Sequence, residues 1–152
     1  MRYSDYADAQ LTDIFTEEQL VKARTVNIKT LQSIYLPNDG NKKFTIKALP
    51  QHAQISAING MVAEDIDKDG NKDLIIAGNF YPLRVSLGPL DAGLGLVLKG
   101  NGKGEFKPMT YEQTGLNISG DVRNLINVRT KENSLFLAGK NNGKLQIVRL
   151  IQ

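Results

Sequence analysis

The chain has 152 residues, 41% of them hydrophobic, with 19 Lys and Arg against 16 Asp and Glu for a net charge of +3, which supplies the core of one compact domain and hardly of two. It contains no Cys, excluding a disulfide framework, a Cys-based zinc site and a Cys nucleophile. No apolar run approaches the ~20 residues of a membrane span, the opening MRYSDYADAQ lacks the apolar core of a signal peptide, and the basic residues are scattered rather than gathered into a nucleic-acid tail.

In chain order, the first predicted element is one short helix over residues 17–24. Thr16 is its N-cap, Gln19 the capping-box partner, and Phe15 with Leu20 a hydrophobic staple. Glu17 and Glu18 lie at the positive end of the helix dipole and Lys22 and Arg24 near the negative end. Short strands follow at 31–36 and 44–49, joined by the turn of YLPNDGNKKF. His52, the sole histidine, then lies in the polar stretch LPQHAQIS, with no nucleophile-elbow motif nearby. Strands 61–65, 73–78, 94–100 and 105–109 make the next group, interrupted by NFYPLRVSLGPLDAG, whose Pro and Gly content predicts a long surface loop. A last group covers 121–129, 134–139 and 144–151. Val62, Ile75, Leu96, Val122, Leu135 and Ile147 are the expected core positions of these strands.

The chain also repeats itself. YLPNDGNKKF at 35–44 resembles VLKGNGKGEF at 97–106, an offset of 62. INGMV at 58–62 resembles ISGDV at 118–122 with offset 60, and IIAGN at 75–79 resembles LFLAGK at 135–140 with offset 61. A period of about sixty residues filled with short strands predicts stacked four-stranded antiparallel units.

Joining the strands at 61–65 and 73–78 is EDIDKDGNKDL, with Asp65, Asp67, Asp69, Gly70 and Asp73 in nine positions. Alternating carboxylates on an extended and then turning backbone converge on one centre, and Gly70 permits the bend. Oxygen ligands in that number suit a hard cation. The backbone carbonyl of Asn71 and the Asp73 side chain complete the set at positions seven and nine. An EF-hand needs Glu at position twelve, where this chain has Ile76 inside an apolar run, so the spacing predicts a Ca²⁺ loop within a β-hairpin.

This Asp loop, followed by DLIIAGN and LVLKGNGKGEF, resembles the FG-GAP/VCBS repeat, the blade of integrin-α-like β-propellers. The whole chain, with YADAQLTDIF and GDVRNLINV, is also similar to the C-terminal propeller segment of bacterial ASPIC/UnbV proteins, relatives of cartilage acidic protein. The resemblance implies an all-β partial propeller of about two and a quarter blades: one segment over 1–152, with a partial blade at 31–49, a complete blade at 58–109 and a partial blade at 118–152. It puts the Ca²⁺ ligands at Asp65, Asp67, Asp69, Asn71 and Asp73. At offset 60 the second copy has Leu125, Asn127, Arg129 and Asn133 at the Asp positions, so one ion site is expected.

The function so implied is a non-enzymatic, Ca²⁺-stabilised scaffold that binds a protein or carbohydrate ligand, in the extracytoplasmic setting common to the family. The incomplete end units imply a place in a longer propeller, self-association, or capping of the open faces by residues 25–30 and the helix. Two rival readings stand beside it. Metal-dependent hydrolysis needs Glu64 as base and an open coordination position, for which five protein oxygens leave little room. Nucleic-acid binding needs Lys42, Lys43, Lys99, Lys103 and Lys107 to line one rim, but alternation puts the adjacent Phe106 in the core rather than on a stacking platform.

Overall fold

A computed structural model describes residues 3–131 and 134–149. Its contacts fall into two compact units, one ending at Leu31 and the other starting at Gln32.

The first unit is helical: α1 (Tyr3–Ala7), α2 (Leu11–Ile14) and α3 (Glu17–Lys22). α3 begins as its sequence predicts. The Gln19 amide donates to Thr16 Oγ1 at 3.4 Å and the Thr16 amide to Gln19 Oε1 at 3.0 Å, satisfying two of the donors that a helix start leaves unpaired. It stops at Lys22 rather than at Arg24, because Ala23 turns to extended backbone (ψ 136). The expectation of one helix is corrected: α1 and α2 precede it, and the second unit adds a 3₁₀ turn at Gln51–Gln54 and α4 at Tyr111–Thr114. These pieces have five residues or fewer, too short to display an apolar stripe.

The second unit is β, and all its sheets are antiparallel and open. β1 (Ile34–Tyr35) pairs with β4 (Lys47–Ala48), and β2 (Asn38–Gly40) with β3 (Lys43–Phe44), two pieces of one hairpin. Pro37 lies at the break; it has no amide to donate, but its carbonyl accepts from the Thr45 amide at 3.3 Å. The central sheet is the meander β5 (Ile58–Glu64), β6 (Asp73–Gly78), β7 (Leu96–Gly100) and β8 (Phe106–Pro108), and the C-terminal sheet is β9 (Val122–Arg129), β10 (Ser134–Lys140) and β11 (Gln146–Arg149). Positions 150 and 151 of the expected last strand lie outside the described residues.

Pairing registers define how these pieces repeat. Gly100 opposes Phe106 as Asn38 opposes Phe44, so the offset of 62 holds on both strands of the hairpin. Positive φ recurs at Gly40 (82) and Lys42 (61) and at their counterparts Gly102 (71) and Gly104 (75), although Asn41 (51) between the first pair is also left-handed and its counterpart Lys103 is not. The first two strands of the larger sheets share a bulge. Gly78 opposes Ile58 while Ala77 opposes Gly60, and Lys140 opposes Val122 while Gly139 opposes Asn124. Beyond the bulge, the Asn79 amide donates to the Ala57 carbonyl and the Asn141 amide to the Asp121 carbonyl. Gly78 thus corresponds to Lys140, 62 positions on, and Ile58 to Val122, 64 positions on. These registers replace the offsets of 60 and 61. Residues 118–120 precede β9, and Ile75 corresponds to Leu137 rather than to Phe136.

The correction decides which face of each sheet is which, because a slip of one residue turns a strand over. In the central sheet, Ile75 and Val97 mark one face, Leu74, Ile76 and Leu98 the other. By register, Leu137 corresponds to Ile75, and Phe136 and Ala138 to Leu74 and Ile76. The first face of the central sheet packs on the second face of the C-terminal sheet, around Phe136, Val122, Leu125 and the connecting Leu116 and Ile118. The second face of the central sheet packs on Leu49, Ala53 and Tyr35 of the hairpin region, with the Tyr35 and Phe106 rings edge to face at 5.4 Å. Tyr35 corresponds to Val97 at offset 62. Both junctions therefore join a first face to a second face, head to tail.

Of the expected core positions, Ile75 and Val122 are buried, while Val62, Leu96 and Leu135 are half-buried. Ile147 is a correction: it is exposed, because it opposes Leu137 on the outward face, and Val148 opposite Phe136 turns inward in its place.

Candidate metal centre

The Asp loop connects β5 to β6 and is closed by the Glu64–Asp73 pair. Asp73, the first residue of β6, is buried, and both its oxygens accept backbone amides: Oδ2 from Ile66 at 3.0 Å and Oδ1 from Gly100 of β7 at 2.9 Å. This carboxylate pins the start of the loop and ties it to the neighbouring strand. Further on, Asp65 Oδ2 accepts from the Gly70 amide at 3.0 Å, Asp67 Oδ1 from Asp69 at 3.3 Å, and Asp69 Oδ1 from Asn71 at 2.8 Å. The turn that aligns these amides needs left-handed backbone at Lys68 (φ 61) and Gly70 (φ 88), and glycine adopts that conformation without strain.

Of the five predicted ligands, the structure brings three together. One carboxylate oxygen from each of Asp65, Asp67 and Asp73 lies within 4.8 Å of the others. Asp65 Oδ1 is buried with no hydrogen-bond partner, and such an atom carries a desolvation cost that a cation would relieve. The donor set, all carboxylate oxygen, fits a hard divalent ion. Asp69 stands outside this group. Its carboxyl is held below the usual range by the Asn71 amide and then by Lys99, whose ammonium is 3.4 Å away. The Asn71 side chain lies against the β7–β8 turn, where a Cβ on Gly102 would meet its Oδ1 at 2.3 Å.

Sequence reasoning missed the role of Lys99. From β7 its ammonium donates to Asp67 and reaches Asp69, and these contacts, Asp67 first, raise its pKa. The lysine supplies a positive charge at the site, and it is the member of the expected basic rim that turns to the aspartates. Lys42, Lys43, Lys103 and Lys107 are exposed, and Phe106 packs inward. His52 is exposed on the 3₁₀ turn.

The corresponding loop of the C-terminal sheet is framed by Val128 and Leu135, the counterparts of Glu64 and Asp73. This replaces the earlier correspondence: Leu125, Asn127 and Arg129 all lie in β9, and Asn133 is outside the described residues. Arg129 takes the place of Asp65, and it bonds to Glu64 at 2.7 Å across the two sheets, joined by Asn127 at 3.1 Å. The guanidinium holds the Glu64 carboxyl below its usual range, so Glu64 is engaged as an inter-sheet ion pair.

Next to the Asp loop, a cleft of about 650 Å³ runs between the sheets, floored by Ile66, Val97, Met109 and Phe136, with Asp67 and Lys68 at its rim. Compared with known proteins, the chain matches no family model, no curated protein and no solved structure.

Proposed function

We propose that the chain is a non-enzymatic Ca²⁺-binding β-propeller repeat module that serves as an interaction scaffold for a protein or carbohydrate ligand. The observation that carries this reading is the convergence of Asp65, Asp67 and Asp73, with the buried Asp65 Oδ1 left without a partner. The hairpin, the central sheet and the C-terminal sheet are then about two and a quarter blades, a reading supported by the repeated registers and the head-to-tail face order.

Asp65, Asp67 and Asp73 would hold the ion, with Asp69 and the Asn71 carbonyl as the outer members of the expected set. Bound Ca²⁺ offsets the repulsion among these carboxylates and ties the β5–β6 turn to the start of β6. That turn forms one wall of the cleft, so the metal would fix the shape of a surface on which a ligand docks. The resemblance to a family whose members are often exported supports a setting outside the cytoplasm, where millimolar Ca²⁺ would saturate a weak site.

Thermal melting in EGTA and in millimolar Ca²⁺ tests the proposal. Binding confined to the folded state stabilises it with the logarithm of metal concentration, by about 2.7 kcal/mol at a hundredfold excess over Kd, and so raises the midpoint. Asp67→Ala removes a half-exposed ligand and is expected to abolish the shift. Identical melting in EGTA and Ca²⁺ would overturn the assignment.

A further inference from the structure

We propose that this chain self-associates head to tail, the outward face of the C-terminal sheet of one copy docking on the outward face of the β1–β4 hairpin of the next. Ile126, Leu137 and Ile147 oppose one another across β9, β10 and β11, beside Val128 and Leu135. Ile126 is 47% exposed, Val128 39% and Ile147 59%, an aliphatic face uncovered on the side where the central sheet is covered.

Register identifies what such a face takes. Leu137 corresponds to Ile75, and Ile147, opposite Leu137, corresponds to Val97, opposite Ile75. In the central sheet, Ile75 and Val97 are buried against the second face of the following sheet. The uncovered face is therefore a first face lacking its second-face neighbour. The chain also carries an uncovered second face. On the hairpin, Ile34 and Leu36 correspond to Leu96 and Leu98 at offset 62, which belong to the second face of the central sheet. Leu36 is 49% exposed, Phe44 59% and Ile46 66%.

One molecule thus presents both halves of a junction that it makes twice internally, and a second copy is the partner whose surface is already matched. Two different patches meet in such a contact, so it is heterologous, and it builds rings where the rotation closes and filaments where it does not. Burial of apolar area drives it.

Sedimentation velocity of the full chain from micromolar to several hundred micromolar is expected to show mass rising above the monomer. Ile126→Asp and Ile46→Asp each place a charge in an exposed position of one face. Each variant alone is expected to be monomeric, with circular dichroism confirming that it remains folded. Mixed, the two retain one intact face each and are expected to form a one-to-one dimer that grows no further. A homodimer of Ile46→Asp alone would mean that the C-terminal face pairs with itself, which overturns the head-to-tail contact. A wild-type chain monomeric throughout would overturn self-association and leave both faces to other repeats of a longer chain.

Discussion

Asn79 is buried and sits in left-handed backbone (φ 93) at the end of β6. Its Oδ1 accepts from Ser56 Oγ at 2.6 Å and the Gly93 amide at 2.8 Å, while Nδ2 donates to the carbonyls of Gly93 at 2.8 Å and Gly120 at 3.0 Å. One amide side chain therefore anchors the 79–93 loop and fastens it to the approach of β9. Asn79→Ala would strand several buried partners and is expected to cost about 2–4 kcal/mol in urea unfolding. Asn79→Asp, equal in size, is expected to fare no better, since a carboxylate faces two carbonyls where the amide donated. Lys99 acts in the opposite sense at the Asp loop, as a resident cation beside Asp67. Lys99→Met removes a positive charge that would repel the proposed divalent ion, so calorimetric titration is expected to show Ca²⁺ affinity rising by about an order of magnitude. Unchanged or weaker binding would mean that the lysine does not compete.

At the scale of elements, the ion pair of Glu64 with Arg129 links the central and C-terminal sheets. Its hydrogen bonds lower the Glu64 pKa, so the contribution is complete above the ordinary Glu value of about 4.3 and is lost as pH falls through the lower folded value. Arg129 is largely exposed, so solvent screening keeps the contribution of the pair small. In buffer freed of Ca²⁺ beforehand, Arg129→Met is expected to lose less stability than wild type between pH 5 and pH 3, and parallel curves would remove the pair from the acid response. The sequence makes such local features readable where one residue type dictates one geometry. Thr16 with Gln19 marks the start of α3, Gly102 and Gly104 mark a turn, and Gly70 marks the bend of the Asp loop. Thr110 and Gln113 carry the same capping signal for α4, which the Pro and Gly content of the neighbouring loops obscures. Register was not readable. Matching IIAG to FLAG aligns Ile75 with Phe136, whereas the bulge opposite Gly78 and Lys140 aligns Ile75 with Leu137. Nothing in composition announces a bulge, so the inward and outward faces of β10 and β11 were exchanged. The convergence of Asp65, Asp67 and Asp73 follows from their alternation, but the place of Lys99 depends on β7 lying beside the loop, a contact between distant segments of the chain.

Across the second unit, protection is expected to follow how many sides of a strand are covered. All six residues of β6 are buried, with strands on both edges and packed sheets on both faces. Hydrogen exchange is expected to be slowest at Leu74–Ala77 and at Val97 and Leu98, and fastest at the exposed Asn38–Phe44 turn. Equal protection along the unit would contradict this layering. The close approach of the two larger sheets has one narrow point, where a Cβ on Gly60 would stand 2.7 Å from both Leu125 Cβ and its amide nitrogen. Gly60→Ala is therefore expected to force β5 from β9 and lower stability by about 1–3 kcal/mol.

The shared registers also bear on how such a chain can lengthen. Hairpin and second strand recur at the same spacing of 62 residues, and every junction joins unlike faces. A tandem duplication of one such stretch would insert a unit whose two surfaces already suit its neighbours on either side. Gene duplication could extend the array without any compensating substitution at a contact, whereas loss of one codon within a strand would turn its apolar side to water. Length in whole repeats is therefore the cheap direction of evolutionary change for this architecture, and strand length is the guarded one.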